Sequence, residues 1–347
     1  MRLHRVFIPA IALAAGLMLA GGSTLAAAGA PIRIKLATLA PRDTSYHRIL
    51  KELAEEWRRA SGGQVDLVIY PGGTIGSEAD SVTRMRVGQL QAAMLTGGGL
   101  TEIDPGIAAL QEIPMLFNSL SEGEYVREKL RPDLEKRLLA RGLVPLFWGD
   151  SGWVRLFSRT AAPRPSDFKN LKIFVTASGS TTQMQMMQAL GYKPVALDWA
   201  DALIQMRTGG VDAIPAPPLI ALSGQYYTVA SHMTEVNWAP LVGAGVITKA
   251  AWDAVPADLK PSLLQSAANA GRRIQDASRS ESNQAVETMK TKLHLEVHAL
   301  TPAIEQEWRQ LAEGIYPQIR GAMVPADMFD QARRLVDEYR SSQGGRR

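Results

Sequence analysis

The sequence predicts an α/β protein of two lobes that close as a clamshell, with one long helix late in the chain. Short apolar strands alternate with amphipathic helices from Ile32 onward, and a similar set of elements begins after Gly142. An unusually long helical pattern then runs from about Pro261 to Lys292. Strands that alternate with helices indicate parallel sheets wrapped by helices. Two such sheets and a late helix favour two lobes over one continuous sheet.

Composition supports a folded chain with a large core. The chain has 347 residues, of which 46% are hydrophobic and 21% charged, which is room for about two domains. These values exclude disordered, collagenous and fibrous proteins. The excess of 38 basic over 34 acidic residues is too small to indicate a nucleic-acid partner. Because the chain has no cysteine, a disulfide framework, a thiolate metal site and a cysteine nucleophile are all excluded.

The first residues have the pattern of a secretory signal. Arg2 and Arg5 provide the positive start, an apolar stretch runs from Val6 to Ala20, and small residues follow up to Ala28. We therefore predict a signal peptide over residues 1–28 and an exported mature chain. An uncleaved anchor helix is the alternative, although the apolar run is short for a membrane span.

The first predicted lobe comprises residues 31–150 and about 240–285. Its elements begin with a strand–helix–strand–helix–strand succession: 32–38, 47–60, 65–70, 79–87 and 90–96. The last of these strands leads into Gly97-Gly98-Gly99, which fits neither the dinucleotide fingerprint nor the phosphate-binding loop. These glycines indicate either a tight turn or a loop that lets backbone approach a ligand.

The second predicted lobe comprises residues 151–239 and about 286–347. A strand predicted at 143–148 ends the first segment of the first lobe. In the second lobe, strands are predicted at 152–158, 171–176 and from 211, with helices at about 181–190 and 198–206. Beyond the long helix, residues 293–297 predict a strand and 302–319 a helix. Because ligands bind outside the carboxyl ends of strands in open α/β sheets, we expect a small molecule between the two lobes.

The sequence predicts a binding protein, without a catalytic site or a cofactor. No combination of side chains suited to acid–base or nucleophilic catalysis is apparent. His294, Glu296 and His298 have strand spacing and could hold a divalent metal from one face. A solvated outer face of an edge strand is the favoured interpretation, so we predict no metal site.

Several segments of the chain together resemble those of one known family. They are Gly62–Val65, Tyr70–Gly73 with Ile75–Gly76, Ile113–Phe117, Ser166–Ile173 and Met206–Asp212. By their order and spacing, from about Ile32 to Ile319, the chain resembles the solute-binding proteins of tripartite ATP-independent periplasmic (TRAP) transporters, of the DctP type.

The resemblance implies a two-lobed periplasmic-binding-protein clamshell of the type II-like kind, with the long helix crossing both lobes. Such a receptor has no enzymatic activity and closes on a small-molecule ligand. It delivers that ligand to two membrane permease subunits that an ion gradient drives. The resemblance implies either a monomer or a homodimer.

The chain departs from the family at three positions that usually bind a carboxylate. Phe174 stands where an arginine usually ends the L-K-I-R strand, and Val154 falls where a second arginine is common. Ala213–Pro217 replaces a segment that supplies an asparagine. A buried carboxylate without a cationic partner costs several kcal/mol. We therefore predict an uncharged or largely apolar ligand.

The predicted site combines an apolar wall with a few polar contacts. The apolar wall is formed by Phe117, Trp148, Phe174, Trp199 and Ala216. The polar contacts are expected from Thr38, Asp150, Thr176 and the backbone amides of Gly97, Gly98 and Gly99. Side chains alternate along a strand, so Arg155 would face away from this site. The alternative is a one-residue bulge that turns Arg155 inward to bind a carboxylate. A periplasmic sensor or lipid-shuttling protein that is not coupled to a permease is the alternative of another class.

Overall fold

The computed structural model describes residues 30–176 and 181–344, so the predicted signal peptide at 1–28 lies outside the described residues. The strands are β1 Ile32–Thr38, β2 Val65–Tyr70, β3 Ala92–Thr96, β4 Leu143–Trp153, β5 Arg155–Ser158, β6 Lys172–Thr176, β7 Lys193–Leu197, β8 Ala213–Ala216, β9 His232–Thr234, β10 Pro240–Thr248 and β11 Glu296–His298. The helices are α1 Ser45–Ala60, α2 Glu78–Arg86, α3 Gly97–Thr101, α4 Leu120–Ala140, α5 Thr181–Ala189, α6 Ala202–Thr208, α7 Pro218–Ser223, α8 Lys249–Ala254, α9 Lys260–Lys292, α10 Pro302–Ile319 and α11 Ala326–Gly344.

The strands form two sheets, one for each lobe. The sheet of the first lobe has the order β2-β1-β3-β10-β4, and that of the second lobe has the order β11-β9-β5-β8-β6-β7. Both sheets are mixed, whereas the sequence predicts parallel ones. β10 is antiparallel to β3 and β4, and β5 is antiparallel to β8 and β9. The chain passes between the sheets from β4 to β5 and from β9 to β10, and β5 and β10 run antiparallel to both of their neighbours.

Helices cover both faces of the first sheet. One face packs against α4, α11 and a 3-10 helix at Pro105–Leu110, and the other packs against α1, α8 and the first half of α9. Helix α1 begins at the N-cap Thr44, whose hydroxyl accepts a hydrogen bond from the His47 amide, and its apolar face is buried along the sheet. This coverage leaves the carboxyl ends of β1 and β3 as the edge that faces the second lobe.

Helix α9 crosses both lobes, as the family resemblance implies. Leu263 and Ile274 in its first half pack against the first sheet, whereas Ala285 and Met289 belong to the core of the second lobe. Its observed bounds, Lys260–Lys292, differ from the predicted ones by one residue. The second sheet is enclosed by α6, α7 and the end of α9 on one face and by α10 on the other.

The C-terminal helix α11 differs from the sequence prediction, which placed residues 286–347 in the second lobe. Met328, Phe329 and Leu335 of α11 lie in the core of the first lobe, beside Leu130 and Leu134 of α4. An amphipathic helix buries its apolar face wherever a matching surface is available, and the exposed side of α4 provides that surface. Within residues 30–176 and 181–344, no helix has both the length and the apolar character that crossing a membrane requires.

The close packing of α9 on β4 depends on Gly271. A Cβ atom added there would lie 2.5 Å from the Cβ atom of Phe147, closer than real Cβ atoms approach. We predict that Gly271→Ala lowers the free energy of unfolding by about 1–3 kcal/mol, because a well-packed core accepts an added methyl group only with strain. Gly314→Ala in α10 is the matched control, since nothing lies within 4 Å of its added Cβ. Urea denaturation of both variants tests this, and equal stability would contradict it.

Candidate functional site

The carboxyl ends of the parallel strands place several predicted site residues at the edges that face the other lobe. In the first lobe β1 ends at Thr38, and in the second lobe β6 ends at Thr176 and β8 at Ala216. Arg155 pairs with Ala216 because β5 runs antiparallel to β8, so β5 begins at the same edge. This edge is where open α/β sheets bind ligands.

A cavity of about 360 Å³ lies between the lobes, which is within the size range of small-molecule sites. Segments of both lobes and of α10 contribute its walls. The lining residues are Met115, Phe117, Asn118, Arg155, Glu235, Asn237, Ala299, Leu300, Glu305 and Arg309. Of the predicted site residues, Phe117 and Arg155 are therefore brought together here.

Arg155 is one of two partly buried guanidiniums in the described lining of this cavity. Its Nη1 donates hydrogen bonds to the Glu235 carbonyl oxygen at 2.9 Å and to Asn237 Oδ1 at 2.6 Å. Among the described residues, Nε and Nη2 have no hydrogen-bond partner and no carboxylate forms an ion pair with the guanidinium. Burial lowers the pKa of Arg155, and the charge of nearby Glu235 acts in the opposite direction. The side chain stays charged, because arginine does not lose its proton in proteins.

A β-bulge in β4 determines how the chain enters β5. Asp150 is paired with Val242 and Trp153 with Pro240, so two residues of β4, Ser151 and Gly152, lie opposite one residue of β10. Gly152 has φ +83°, a left-handed conformation that glycine adopts without strain. One extra residue reverses the facing of every side chain that follows. Arg155 lines the cavity downstream of this bulge.

The polar side chains around Arg155 form a second set of contacts across the cavity. Arg309 of α10 donates to Glu305 Oε1 at 2.8 Å and to Asn118 Oδ1 at 3.1 Å. Arg309 therefore connects α10 with the first lobe. The cavity thus offers guanidinium and amide donors together with amide and carboxylate acceptors, a set suited to a polar molecule.

Asp150 is used within the protein, whereas the sequence predicts a ligand contact. Its carboxylate is buried and accepts hydrogen bonds from Arg279 Nε at 2.9 Å and Nη2 at 2.5 Å, and from Arg127 Nη1 at 3.3 Å. The amide of Gly152 donates to the same carboxylate at 3.1 Å. Burial favours a lower pKa for Arg279, yet the hydrogen bond and charge of Asp150, with those of Glu124, raise it overall. These contacts leave Asp150 little capacity for a ligand.

The predicted aromatic wall is mostly core. Phe174 is only 2% exposed and Ala216 is fully buried, both in the core of the second lobe, and Trp148 is buried in the core of the first. The indole N–H of Trp148 has no hydrogen-bond partner among the described residues. Trp199 is half-buried, and its ring lies 4.7 Å from that of Phe174 and 6.2 Å from that of Tyr226. Of these residues, Trp199 alone keeps partial exposure.

The glycine turn after β3 is held by a buried carboxylate. Glu78 accepts hydrogen bonds from the Thr96 amide and hydroxyl, each at 2.6 Å, and from the Gly99 amide at 3.2 Å. Burial raises the pKa of Glu78, and these hydrogen bonds counteract the increase. A Cβ atom added at Gly97 would lie 2.6 Å from Gln111 Oε1. Gly97 therefore permits close packing within the protein, and the neighbouring Gly98 lies in the same short helix.

The two predicted threonines lie at strand ends and outside the cavity. The Thr38 hydroxyl accepts a hydrogen bond from the Ala40 amide at 3.1 Å, beside a hollow of about 10 Å³, which is the size of one water. Thr176 is half-buried at the end of β6. Residues 177–180, which follow it, lie outside the described part of the chain.

Sequence reasoning missed most of the polar lining of the cavity. Asn118, Asn237 and Arg309 lie on two loops and a distant helix, and no motif connects them. Their spacing along the chain carries no signal, since only the tertiary fold brings them together.

The chain belongs to the bacterial extracellular solute-binding protein family 7, the DctP family, which it matches over residues 36–321. It is therefore a solute-binding protein of the type that serves TRAP transporters, and not an enzyme. The family comprises periplasmic receptors, and the two-lobed α/β fold is the one it uses.

Relatives of known name and structure agree with this assignment. The chain is 24% identical over 298 residues to the C4-dicarboxylate-binding periplasmic protein DctP of Rhodobacter capsulatus, covering 83% of this chain and 86% of that protein. A TRAP solute-binding protein from Shewanella oneidensis with bound succinate has a similar structure, with TM-score 0.81, 18% identity and coverage of 88% of this chain and 100% of that chain. The structure of the sugar acid binding protein DctPAm of Advenella mimigardefordensis, in complex with galactonate, is also similar, with TM-score 0.82 and 17% identity. The match covers 89% of this chain and 98% of that chain.

The network around Asp150 provides a test of stability. We predict that Asp150→Asn lowers the free energy of unfolding by about 3–5 kcal/mol, because it leaves the guanidiniums of Arg127 and Arg279 without their buried counter-charge. Asp253→Asn is the matched control, since it removes an exposed ion pair with Lys249 and should change stability by less than about 1 kcal/mol. Chemical denaturation measures both values. A loss at Asp150 no larger than that at Asp253 would contradict the prediction.

Proposed function

We propose that this receptor captures a small organic acid in the cavity between its lobes and holds the carboxylate through Arg155. The single observation that carries the proposal is the guanidinium of Arg155, which lines an interlobe cavity and forms no direct ion pair with a carboxylate among the described residues. The sequence alone predicts an apolar ligand and gives a carboxylate held by Arg155 as the alternative. We now favour that alternative.

The free edge of the guanidinium has the shape that a carboxylate requires. Both hydrogens of Arg155 Nη1 are taken by Glu235 and Asn237, which fixes the plane of the group. Nε–H and one hydrogen of Nη2 point in the same direction and form a two-pronged donor. A carboxylate accepts such a pair in parallel, which is the strongest geometry for this kind of ion pair. The ligand would supply the direct ion pair that Arg155 does not form with Glu235.

The other lining side chains suit the rest of an acid or sugar acid. Asn118, Asn237 and Arg309 offer donors, and Glu305 offers acceptors, for hydroxyl or keto groups of a ligand. Relatives support this ligand class: one is named for C4-dicarboxylates, and two similar structures hold succinate and galactonate. The cavity volume of about 360 Å³ is sufficient for molecules of this size.

An uncharged or largely apolar ligand is the second candidate, and Trp199 favours it. Its half-buried ring stacks beside Tyr226 and contacts Phe174 just beyond the carboxyl end of β7. An aromatic surface at that edge binds apolar rings and chains well. The replacement of the usual arginine by Phe174 is consistent with this candidate.

Delivery of the ligand to a TRAP membrane permease is part of the proposal. The family and the signal-like residues 1–28 support a periplasmic receptor that hands its ligand to two membrane subunits. A sensor or lipid-shuttling role without a permease would use the same closure of the lobes. Genes for two membrane subunits beside this one would favour transport.

Arg155→Gln tests the ligand class. We expect the unaltered protein to bind succinate, galactonate or another small acid of a calorimetric panel, and not the matching amide or neutral sugar. Removing the guanidinium should weaken that binding by about 100-fold or more, because the loss of a partner in a buried charge pair costs several kcal/mol.

Arg159→Gln is the matched control. Arg159 follows β5 and pairs with Asp212 away from the cavity, so this variant should bind the acid as the unaltered protein does. Tight binding of a neutral or apolar compound that survives Arg155→Gln and is lost in Trp199→Ala would contradict the proposal and support the second candidate.

A further inference from the structure

Two histidines and one glutamate converge at the edge of the second sheet. β11 pairs in parallel with β9, and this pairing places Glu296 opposite His232 and His298 opposite Thr234. The His232 Nδ1 atom lies 3.0 Å from His298 Nε2 and 3.4 Å from Glu296 Oε2. One ligand atom from each of the three residues lies within 4.8 Å of the other two.

These distances are close to those between the ligands of a single metal ion. Zinc binds imidazole nitrogen and carboxylate oxygen at about 2.0–2.1 Å, so neighbouring ligand atoms in a tetrahedral site are separated by about 3.3 Å. Two imidazoles and one carboxylate are a known ligand set for Zn²⁺, and imidazole also suits Ni²⁺ and Cu²⁺. The separations of 3.0 and 3.4 Å at His232 therefore match the edges of such a coordination shell.

We propose that His232, Glu296 and His298 form a binding site for one divalent transition-metal ion, with Zn²⁺ as the best-fitting occupant. The two histidines are half-buried and Glu296 is exposed, so three protein ligands hold the ion and solvent completes its coordination. A site with three protein ligands is tight enough to bind and open enough to fill from solution.

The site differs from the one that sequence spacing suggested. His294 was grouped with Glu296 and His298, but it lies before β11 with φ +61° and an exposed side chain. His232, which is distant along the chain, takes its place because β9 is the neighbour of β11. Without a metal, a hydrogen bond between the two imidazoles is the alternative explanation of their close contact.

An ion bound at this site would act on the segment next to the interlobe cavity. The amide of Glu235, the residue after β9, donates to the His298 carbonyl oxygen at 3.0 Å, and the Glu235 carbonyl oxygen accepts from Arg155. Ala299 and Leu300, which follow β11, line the interlobe cavity. An ion bridging β9 and β11 would therefore fix the short edge strand next to the segment that positions Arg155.

Titration of the chain, prepared without a polyhistidine tag and freed of metal with a chelator, tests the site. We expect one equivalent of Zn²⁺ to bind in calorimetry, and one equivalent of Co²⁺ to give the intense visible absorption of a four-coordinate ion. His232→Ala and His298→Ala should each weaken binding at least 10-fold. At equal concentration, Zn²⁺ should raise the melting temperature of the unaltered protein by more than that of either variant.

Two further variants keep the test independent of folding. Glu296→Gln changes an exposed side chain and should weaken Zn²⁺ binding while leaving the metal-free melting temperature unchanged. His294→Ala is the matched control and should bind as the unaltered protein does. No saturable binding of one equivalent would overturn the proposal, since a hydrogen bond between the two imidazoles then accounts for their contact. An equal loss in His294→Ala would also overturn it.

Discussion

The buried contact between Asp150 and Arg279 is the interaction on which the arrangement of the two lobes depends. It lies on β4 just before the chain leaves the first sheet, and it joins that strand to α9, the helix that crosses both lobes. Arg127 adds α4 to the same carboxylate. A buried ion pair is favourable only when every charge is paired and hydrogen-bonded, and Asp150 meets this condition. The close approach of α9 to β4 at Gly271 makes the contact possible.

The same contact links the packing of α9 on β4 to the interlobe cavity. Asp150 accepts a hydrogen bond from the Gly152 amide, so it also holds the bulge after which the chain enters β5. Arg155 is three residues beyond that glycine and lines the interlobe cavity. The direction of the proposed ligand-binding guanidinium is therefore set by backbone geometry that the ion-pair network stabilises. The segment from Asp150 to Arg155 therefore contributes both to the buried ion-pair network and to the proposed ligand-binding site.

Elements with a strong local pattern were the predictable part of the fold, since β1 and β2 have the predicted bounds, whereas helix α4 was not predicted. The bounds of α10 agree with the sequence prediction, and those of α9 differ by one residue, because long amphipathic patterns and proline near the first turn define such helices locally. The docking of α11 on the first lobe was not predictable in the same way. The amphipathic pattern of α11 predicts that one face is buried, but not against which element. That element is α4, which lies nearly two hundred residues earlier in the chain. The mixed sheets also depend on long-range pairing of β5 and β10.

The site was predictable only in part. The sequence showed that Phe174 stands where the family usually has an arginine. It also allowed the alternative that a one-residue bulge turns Arg155 toward the ligand. The burial of Phe174 beneath Trp199 could not be, since strand alternation gives the face of a side chain and not what covers it. Asn118, Asn237 and Arg309 reach the cavity from separate elements, and only the assembled fold brings them together.

The most direct test of the central claim is a crystal structure of the receptor with its bound ligand. The account predicts a carboxylate between the lobes, with its two oxygens about 3 Å from Nε and Nη2 of Arg155. A ligand that lies against Trp199 with no acidic group at Arg155, or one bound outside the interlobe cavity, would contradict it.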